Sequence, residues 1–509
     1  MLLFLLLVSG VHGANILHIS HISSGSHHIW NRPLAFNLVK KGHNVTMLSR
    51  QNEKSKPTNF TLILLEDTQK ETFDSFSINN LEDIGVFASI KVLYGFSEYW
   101  CVHDFATDGL RTLMNYPKDF KFDLIIYDIT LQQCLYPLIH RFNNPPVVAV
   151  TPFLLPPVLS HALGNPLQPS YFPYYATRYS DKMNFRERLY NFLYVYYELF
   201  YRKFISTPIE TKLAKEYFGE NIPPFEEVER NISILLCNTD PNLEYPLDLP
   251  PNVIPVGGLQ IQPPKPLPQD LQKIADDAKH GFIVFSLGSN FRSDSLSEDK
   301  IRTILNAFSK LPQTIIWKFE SDTIKKLPEN VVIKKWLPQS DLLAHPNIKL
   351  LINHGGGLST QEAMSYGVPV IAIPFYGDQF ANAGRLQKKK MAKVVIFKTL
   401  STNSFYRTIK EMLDNPTYRN NIKTLSRRYN DRLNTPLEIA TFWVEYVLRH
   451  GGAEHLSLAA RNMYFYESNS LDMFVVLVLA IFLLYKLSRL LFLTLKNVFA
   501  TASKKTKLD

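Results

Sequence analysis

Compact apolar runs of four to six residues recur along most of this chain, separated by longer stretches in which apolar residues return at helical spacing. Ile16–Ser20, Val45–Leu48, Phe122–Tyr127 and Val147–Val150 read as buried strands, and His28–Lys41 between the first two reads as a helix. Short strands alternating with helices are the rhythm of a parallel α/β sheet. The rhythm breaks at Pro241–Pro268, where prolines deny the backbone regular hydrogen bonding and Gly257 and Gly258 add a turn. It then resumes with Phe282–Ser286, Thr314–Lys318, Val331–Lys334, Lys349–Asn353 and Val368–Ile373. The pattern predicts two doubly wound sheets joined by a linker, with a ligand cleft at the carboxyl ends of their strands. Between Leu155 and Phe225 the chain is rich in Tyr, Phe and Leu, with a helix around Asn184–Phe204. Such a stretch suits a lipophilic ligand, a membrane face or an aromatic core.

The two ends follow a different pattern. MLLFLLLVSGVHG is an apolar run that closes on small residues, Val11 and Gly13, which predicts a signal peptide over 1–13 cleaved before Ala14. It is too short to span a bilayer. Leu471–Leu495 is apolar except for Asp472, Lys486, Ser488, Arg489 and Thr494, which predicts a transmembrane helix over 471–492 preceded by a lead-in segment, 446–470. Lysines at 496, 504, 505 and 507 follow the span, whereas Glu467 and Asp472 flank its start. That asymmetry places the tail, 493–509, in the cytosol and the body in the lumen. Lysines at the third and fifth positions from the end resemble a retrieval signal of type I endoplasmic-reticulum proteins. Sequons at Asn44, Asn59 and Asn231 are candidate glycosylation sites and fit a lumenal chain.

Composition changes this picture little. With 509 residues and 46% hydrophobic content the chain can bury two cores. The net charge of +9 comes from scattered lysines and the basic tail, with no basic run interleaved with aromatics, so no nucleic-acid partner is expected. Three cysteines, Cys101, Cys134 and Cys237, cannot make a disulfide framework and lack metal spacing.

The chemistry concentrates in one stretch, WLPQSDLLAHPNIKLLINHGGGLSTQEAMSYGVPVIAIPFYGDQ, from Trp336 to Gln379. A strand ending at Asn353, a turn of His354 and three glycines, and a helix from Ser359 to Tyr366 would aim unpaired helix-start amides at an anion. An aromatic plate at Trp336, Gln339, a carboxylate at Glu362 and the pair Asp378 and Gln379 complete the parts of a nucleotide-sugar pocket.

These residues resemble the signature of the UDP-glycosyltransferases, specifically the membrane-bound UDP-glucuronosyltransferases of animals. The likeness extends to KGHNVT at Lys41–Thr46, VGGLQ at Val256–Gln260, FSLGS at Phe285–Ser289 and NTPLEIATFWVEYVLRHGGAEHL at Asn434–Leu456. It implies a GT-B fold: an acceptor-binding Rossmann-like domain over 14–255, a linker over 256–280 and a UDP-sugar-binding Rossmann-like domain over 281–445. It implies inverting transfer of glucuronic acid from UDP-glucuronate to a hydroxyl of a lipophilic small molecule, without metal or other cofactor. Trp336 would stack on uracil and Gln339 would face the uridine. Ser289, His354, Gly356 and Ser359 would hold the diphosphate, Glu362 the ribose, and Asp378 and Gln379 the sugar. Leu358 stands where the family commonly has asparagine. Leu247 stands where many glucuronate users have arginine, so UDP-glucose is the alternative donor.

Transfer to a hydroxyl needs a base, and an imidazole serves at neutral pH. His27 lies at the loop-to-helix junction after the first strand, and Asp128 ends the run FDLIIY, so both stand at carboxyl strand ends. Asp128 would orient the imidazole as the acid does in a hydrolase triad. The resemblance selects His27 over its neighbour His28. No Asp-x-Asp motif is present, which argues against a transferase that holds its diphosphate through a metal. An oxidoreductase reading lacks G-x-G-x-x-G. A non-catalytic membrane protein that retains the fold is the alternative of another class. The acceptor's identity and any homo-oligomer are not legible.

Overall fold

The computed structural model describes residues 13–66, 84–242, 244–321, 324 and 326–505. The predicted signal peptide therefore lies almost wholly outside the described residues, as do Leu243 and Lys507.

Seven strands form the first sheet: β1 (Asn15–Ser20), β2 (Asn44–Ser49), β3 (Phe60–Leu64), β4 (Leu124–Asp128), β5 (Val147–Thr151), β6 (Ile232–Cys237) and β7 (Val253–Pro255). All pairs are parallel, in the order β3-β2-β1-β4-β5-β6-β7. Strand order reverses between β1 and β4, so the loops that leave these two strands diverge and open a crevice at their carboxyl ends. Six more strands repeat the arrangement: β8 (Phe282–Ser286), β9 (Thr314–Lys318), β10 (Val331–Lys334), β11 (Ile348–Asn353), β12 (Val370–Ala372) and β13 (Ala392–Val394). Their order, β10-β9-β8-β11-β12-β13, puts the second switch point between β8 and β11. β1, β4, β5, β8, β9 and β11 are buried almost throughout, which is why they read as unbroken apolar runs.

β3, β6, β7 and β13 are strands that the hydropathy pattern leaves unassigned. β3 alternates buried and exposed positions at a sheet edge, and β7 and β13 are three residues long. These three are ordered by pairing with their neighbours rather than by their own pattern, whereas β6 carries a fully buried apolar run over 234–237 that went unassigned.

Two segments near the expected domain boundaries pack in ways the pattern did not reveal. Within the expected linker, just past its last proline, Gln269–Asp276 is a helix whose Leu271 and Ala275 are buried against the second sheet. The helix Pro436–His450 returns to the first domain, where Ala440, Val444 and Val447 join Trp30, Leu34 and Leu38 in one core. Asn37 Nδ2 donates to Thr441 Oγ1 at 2.8 Å across that contact.

One disulfide is present that the spacing of the cysteines did not reveal. Cys101, in the helix Gly85–Ala106, is disulfide-bonded to Cys134, in the loop after β4, and Cys237 stays free and buried. One bridge is not a framework, but it is a covalent tie across 33 residues that spacing could not predict, because proximity of the two is a matter of chain path.

The described chain ends in the helix Leu471–Lys505, of which Leu471–Phe499 is long and apolar enough to cross a membrane. The asparagines of all three sequons are exposed.

Candidate active site

His27 sits in the first turn of the helix Gly25–Lys40, which leaves β1, and Asp128 is the last residue of β4. The first switch point thus brings them together. His27 Nδ1 donates to Asp128 Oδ2 at 2.6 Å, which leaves Nε2 for the cavity that His27 lines. His28 points elsewhere, with Nδ1 2.9 Å from Ser49 Oγ and Nε2 2.8 Å from Glu53 Oε1. Asp128 is fully buried. Burial pushes its carboxyl up, but the charge and hydrogen bond of His27 and the Thr130 hydroxyl outweigh that and hold it below the usual carboxylate range.

Two partners of this pair were not anticipated. Asn31, one turn beyond His27, donates to His27 O at 2.9 Å and to Asp128 Oδ2 at 3.2 Å. His18 on β1, whose pKa burial lowers to about 4, stays neutral and lies 3.0 Å from Asn31 Oδ1 through Nε2. The i, i+4 spacing of His27 and Asn31 was the available signal.

Opposite this pair, β8, β11 and the loops after them supply the other wall. His354 lies in a slot between two glycines: a Cβ on Gly288 would sit 2.4 Å from its Cε1, and one on Gly356 2.4 Å from its Nε2. Only glycine fits at both positions, and Gly288, at φ +89°, is also in the left-handed region. Burial and the nearby Lys318 charge lower His354 to about 4, so it is neutral, and its Nδ1 is buried without a hydrogen bond. The helix Gly357–Tyr366 begins at Gly356 with no side-chain cap, so its first amides remain available to an anion.

Farther along, Trp336 is 62% exposed and presents its ring to the cavity. Gln339 Nε2 bridges Ser359 Oγ at 2.9 Å and Glu362 Oε2 at 2.6 Å. Gln379 Oε1 accepts from the amides of Phe375 and Tyr376, and Asp378 Oδ2 accepts from Asn382 Nδ2 at 2.8 Å. Burial raises Glu362 to about 7 and Asp378 to about 6.

Ser289, Trp336, Gln339, His354, Gly356, Ser359, Glu362, Asp378 and Gln379 all line a single cavity of about 360 Å³ with His27, while Asp128 stands behind His27. The volume lies in the range of small-molecule sites. Leu358 lines it too, and its side chain packs against the core of the first domain. Leu247 does not line it. Lys318 is a lining residue that sequence reading missed: its Nζ donates to Gly288 O at 2.8 Å and Glu320 Oε1 at 2.7 Å, 5.7 Å from the centre of the Trp336 ring. The two walls touch where Ser24 Oγ donates to Asn290 Oδ1 at 2.9 Å, three residues before His27.

Residues 16–506 match the family model described as "UDP-glucoronosyl and UDP-glucosyl transferase". The chain belongs to this family. It is 34% identical to UDP-glycosyltransferase UGT5 of Dactylopius coccus over 91% of this chain and 89% of that one. Against human UDP-glucuronosyltransferase 2B15 identity is 30%, over 89% and 88% of the two chains. The solved glycosyltransferase VinC, in complex with DTDP, superposes with a TM-score of 0.55 at 16% identity, covering 86% of this chain and 99% of that one. The fold of this UDP-sugar transferase is therefore GT-B.

The raised Glu362 gives the transferase a pH-dependent weakness with a definite sign. Unfolded, the carboxyl returns to about 4.5, so between there and about 7 the folded state binds more protons and stability falls as pH rises. Glu362→Gln should raise the thermal midpoint of the ligand-free protein at pH 8 and leave it near wild type at pH 5. Scanning fluorimetry at the two pH values checks this; equal shifts at both would contradict a buried ionising group.

Proposed function

We propose that the protein transfers a hexosyl group, with inversion, from a UDP-sugar to a hydroxyl of a lipophilic acceptor, with His27 as base. The supporting observation is that His27 and nine donor-side residues line one cavity from opposite domains, with the His27 tautomer held by Asp128. The acceptor hydroxyl gives its proton to His27 Nε2 as its oxygen bonds to the anomeric carbon, and the bond from that carbon to the UDP oxygen breaks on the opposite face. Asp128 stabilises the imidazolium, as the acid of a hydrolase triad does. The leaving diphosphate is met by Ser289, Ser359 and the uncapped amides at the start of Gly357–Tyr366. Trp336 stacks on uracil and Glu362 accepts from the ribose.

For the donor, whole-chain likeness points to UDP-glucuronate, but the cavity favours a neutral hexose. Lys318 is the one lysine or arginine among its described lining residues, and it lies near Trp336 and Gly288 with its charge taken by Glu320. The sugar end holds Asp378, itself an acid, and burying a second carboxylate beside it unpaired is costly. UDP-glucose is therefore the donor proposed first and UDP-glucuronate second.

For location, the apolar helix Leu471–Phe499 anchors the protein, and the lysine asymmetry favours a lumenal body in the endoplasmic reticulum. Phe185, Tyr190, Phe200 and Phe204 are exposed along the continuous helical run 185–218 before β6, and Tyr196 meets Phe465 just ahead of the span, as a bilayer-facing surface would have it.

His27→Ala should abolish transfer, by roughly 10² to 10⁴-fold, while UDP affinity is unchanged; Asp128→Asn should lose rate strongly with the same affinity. Tryptophan-quench titration and single-turnover assays separate the two effects, and near-normal turnover in His27→Ala would remove it from the mechanism. With equal UDP-glucose and UDP-glucuronate and a phenol acceptor, product mass should be predominantly glucoside. Exclusive glucuronide would restore the second donor to first place. Protease added to sealed microsomes should trim only the tail beyond the span, and cleavage near Trp336 in intact vesicles would refute the lumenal body.

A further inference from the structure

Glu198 lies on the helix Phe185–Tyr201, is 1% exposed, and yet lines the cavity on the acceptor side. Apart from Thr130 and Tyr175, the acceptor-side wall near it is apolar, with Leu93, Leu131, Phe153, Pro156 and Val158. Its hydrogen bonding is incomplete. The phenols of Tyr175 and Tyr94 share Oε1 at 3.3 and 3.4 Å, both long, whereas Oε2 is buried with no hydrogen bond at all. The Tyr174 phenol also acts on this carboxyl as a hydrogen-bonding neighbour, but the contact falls outside ordinary hydrogen-bond geometry.

A carboxyl with a purely structural duty looks different, and one is close by for comparison. Glu210, on the helix Thr207–Phe218, spends both oxygens on Ser97 Oγ at 2.7 Å, Gln133 N at 2.6 Å and Cys134 N at 3.0 Å. It lines no part of the cavity. Glu198 keeps one oxygen idle at a ligand-facing wall, where leaving a buried acceptor unpaired costs free energy that a ligand's donor would recover. Burial pushes the carboxyls of Glu198 and Glu210 alike up to about 7, so it is the hydrogen bonding and the place at the cavity that set Glu198 apart. Tyr175 lines the same cavity and also feels the charge of Asp378, so it joins this cluster to the sugar end.

We infer that Glu198 is a specificity-determining residue for the acceptor, taking a hydrogen-bond-donating group, a hydroxyl or an amine, at a second position of an otherwise apolar molecule whose reacting hydroxyl sits at His27. This rests on the transfer reaction proposed above. It narrows the acceptor class from lipophilic alcohols in general to those with two polar positions on an apolar frame. A cavity wall built to accept a hydrogen bond rejects an analogue that lacks the donor far more strongly than an apolar wall rejects an extra group.

The test uses the full-length protein in microsomal membranes and three acceptors: 4-phenylphenol, 4,4′-dihydroxybiphenyl and 4′-aminomethyl-4-hydroxybiphenyl. Wild type should favour one of the two substituted acceptors over 4-phenylphenol by about tenfold to a hundredfold in kcat/KM, mainly through KM. The better of the two tells hydroxyl from amine. Glu198→Met should bring the ratio close to one, and Glu198→Gln should restore it for the hydroxyl, since its carbonyl still accepts, but not for the ammonium. No preference in wild type, or a preference that survives Glu198→Met, overturns the assignment. If Glu198→Met fails to bind UDP and so has not folded, Glu198→Asp replaces it: a retracted carboxyl should lower the ratio, and an unchanged ratio overturns the assignment. Should no phenol be turned over at all, the transfer reading fails, and the ratio of equilibrium dissociation constants for the three biphenyls still decides the role of Glu198.

Discussion

A negative charge buried at the end of β4 organises the first domain. Asp128 has no access to water, so its charge is tolerable only if partners are fixed around it. They come from the helix after β1 and from the loop after β4: His27, Asn31 and Thr130. Their convergence leaves the imidazole one tautomer and one orientation before any ligand arrives, which is what a reaction sensitive to sub-ångström placement requires. His18, held neutral by burial, extends the chain of contacts into the sheet.

The second domain meets a different constraint, close approach. The His354 ring fills the space that side chains on Gly288 and Gly356 would need, so the loops after β8 and β11 interlock. The helix start beyond them is left uncapped, and Glu362 and Asp378 are left with pKa values raised by burial. A ligand-free site with orphan amides and poorly solvated acids has less than optimal stability, which is the usual balance between stability and binding.

Between the domains the contacts are specific. Gln260 Nε2 donates to Leu358 O at 3.3 Å and Gln361 Oε1 at 3.2 Å, and Gln361 Nε2 in turn donates to Asn238 O at 3.1 Å. Leu358 lines the cavity and packs its side chain against the first domain's core. With the helix Pro436–His450 also returning to that core, the unit that faces the cleft is assembled from both ends of the sequence.

The sequence by itself determined the two parallel sheets and the stretch Trp336–Gln379, because within a strand-turn-helix neighbours in the chain are neighbours in space and apolar runs report burial on both faces of a strand. It named residues that meet in one cavity and placed a membrane-length apolar helix at the end. It could not separate His27 from His28 without the resemblance, since their difference is a matter of helix phase against β4. Pairing Cys101 with Cys134, setting Lys318 beside Trp336, drawing Asn31 onto Asp128 and leaving Glu198 with an idle oxygen were decided by tertiary structure alone. Each depends on segments brought together by the path of the chain, and that path follows from the packing of whole helices and sheets rather than from any local pattern.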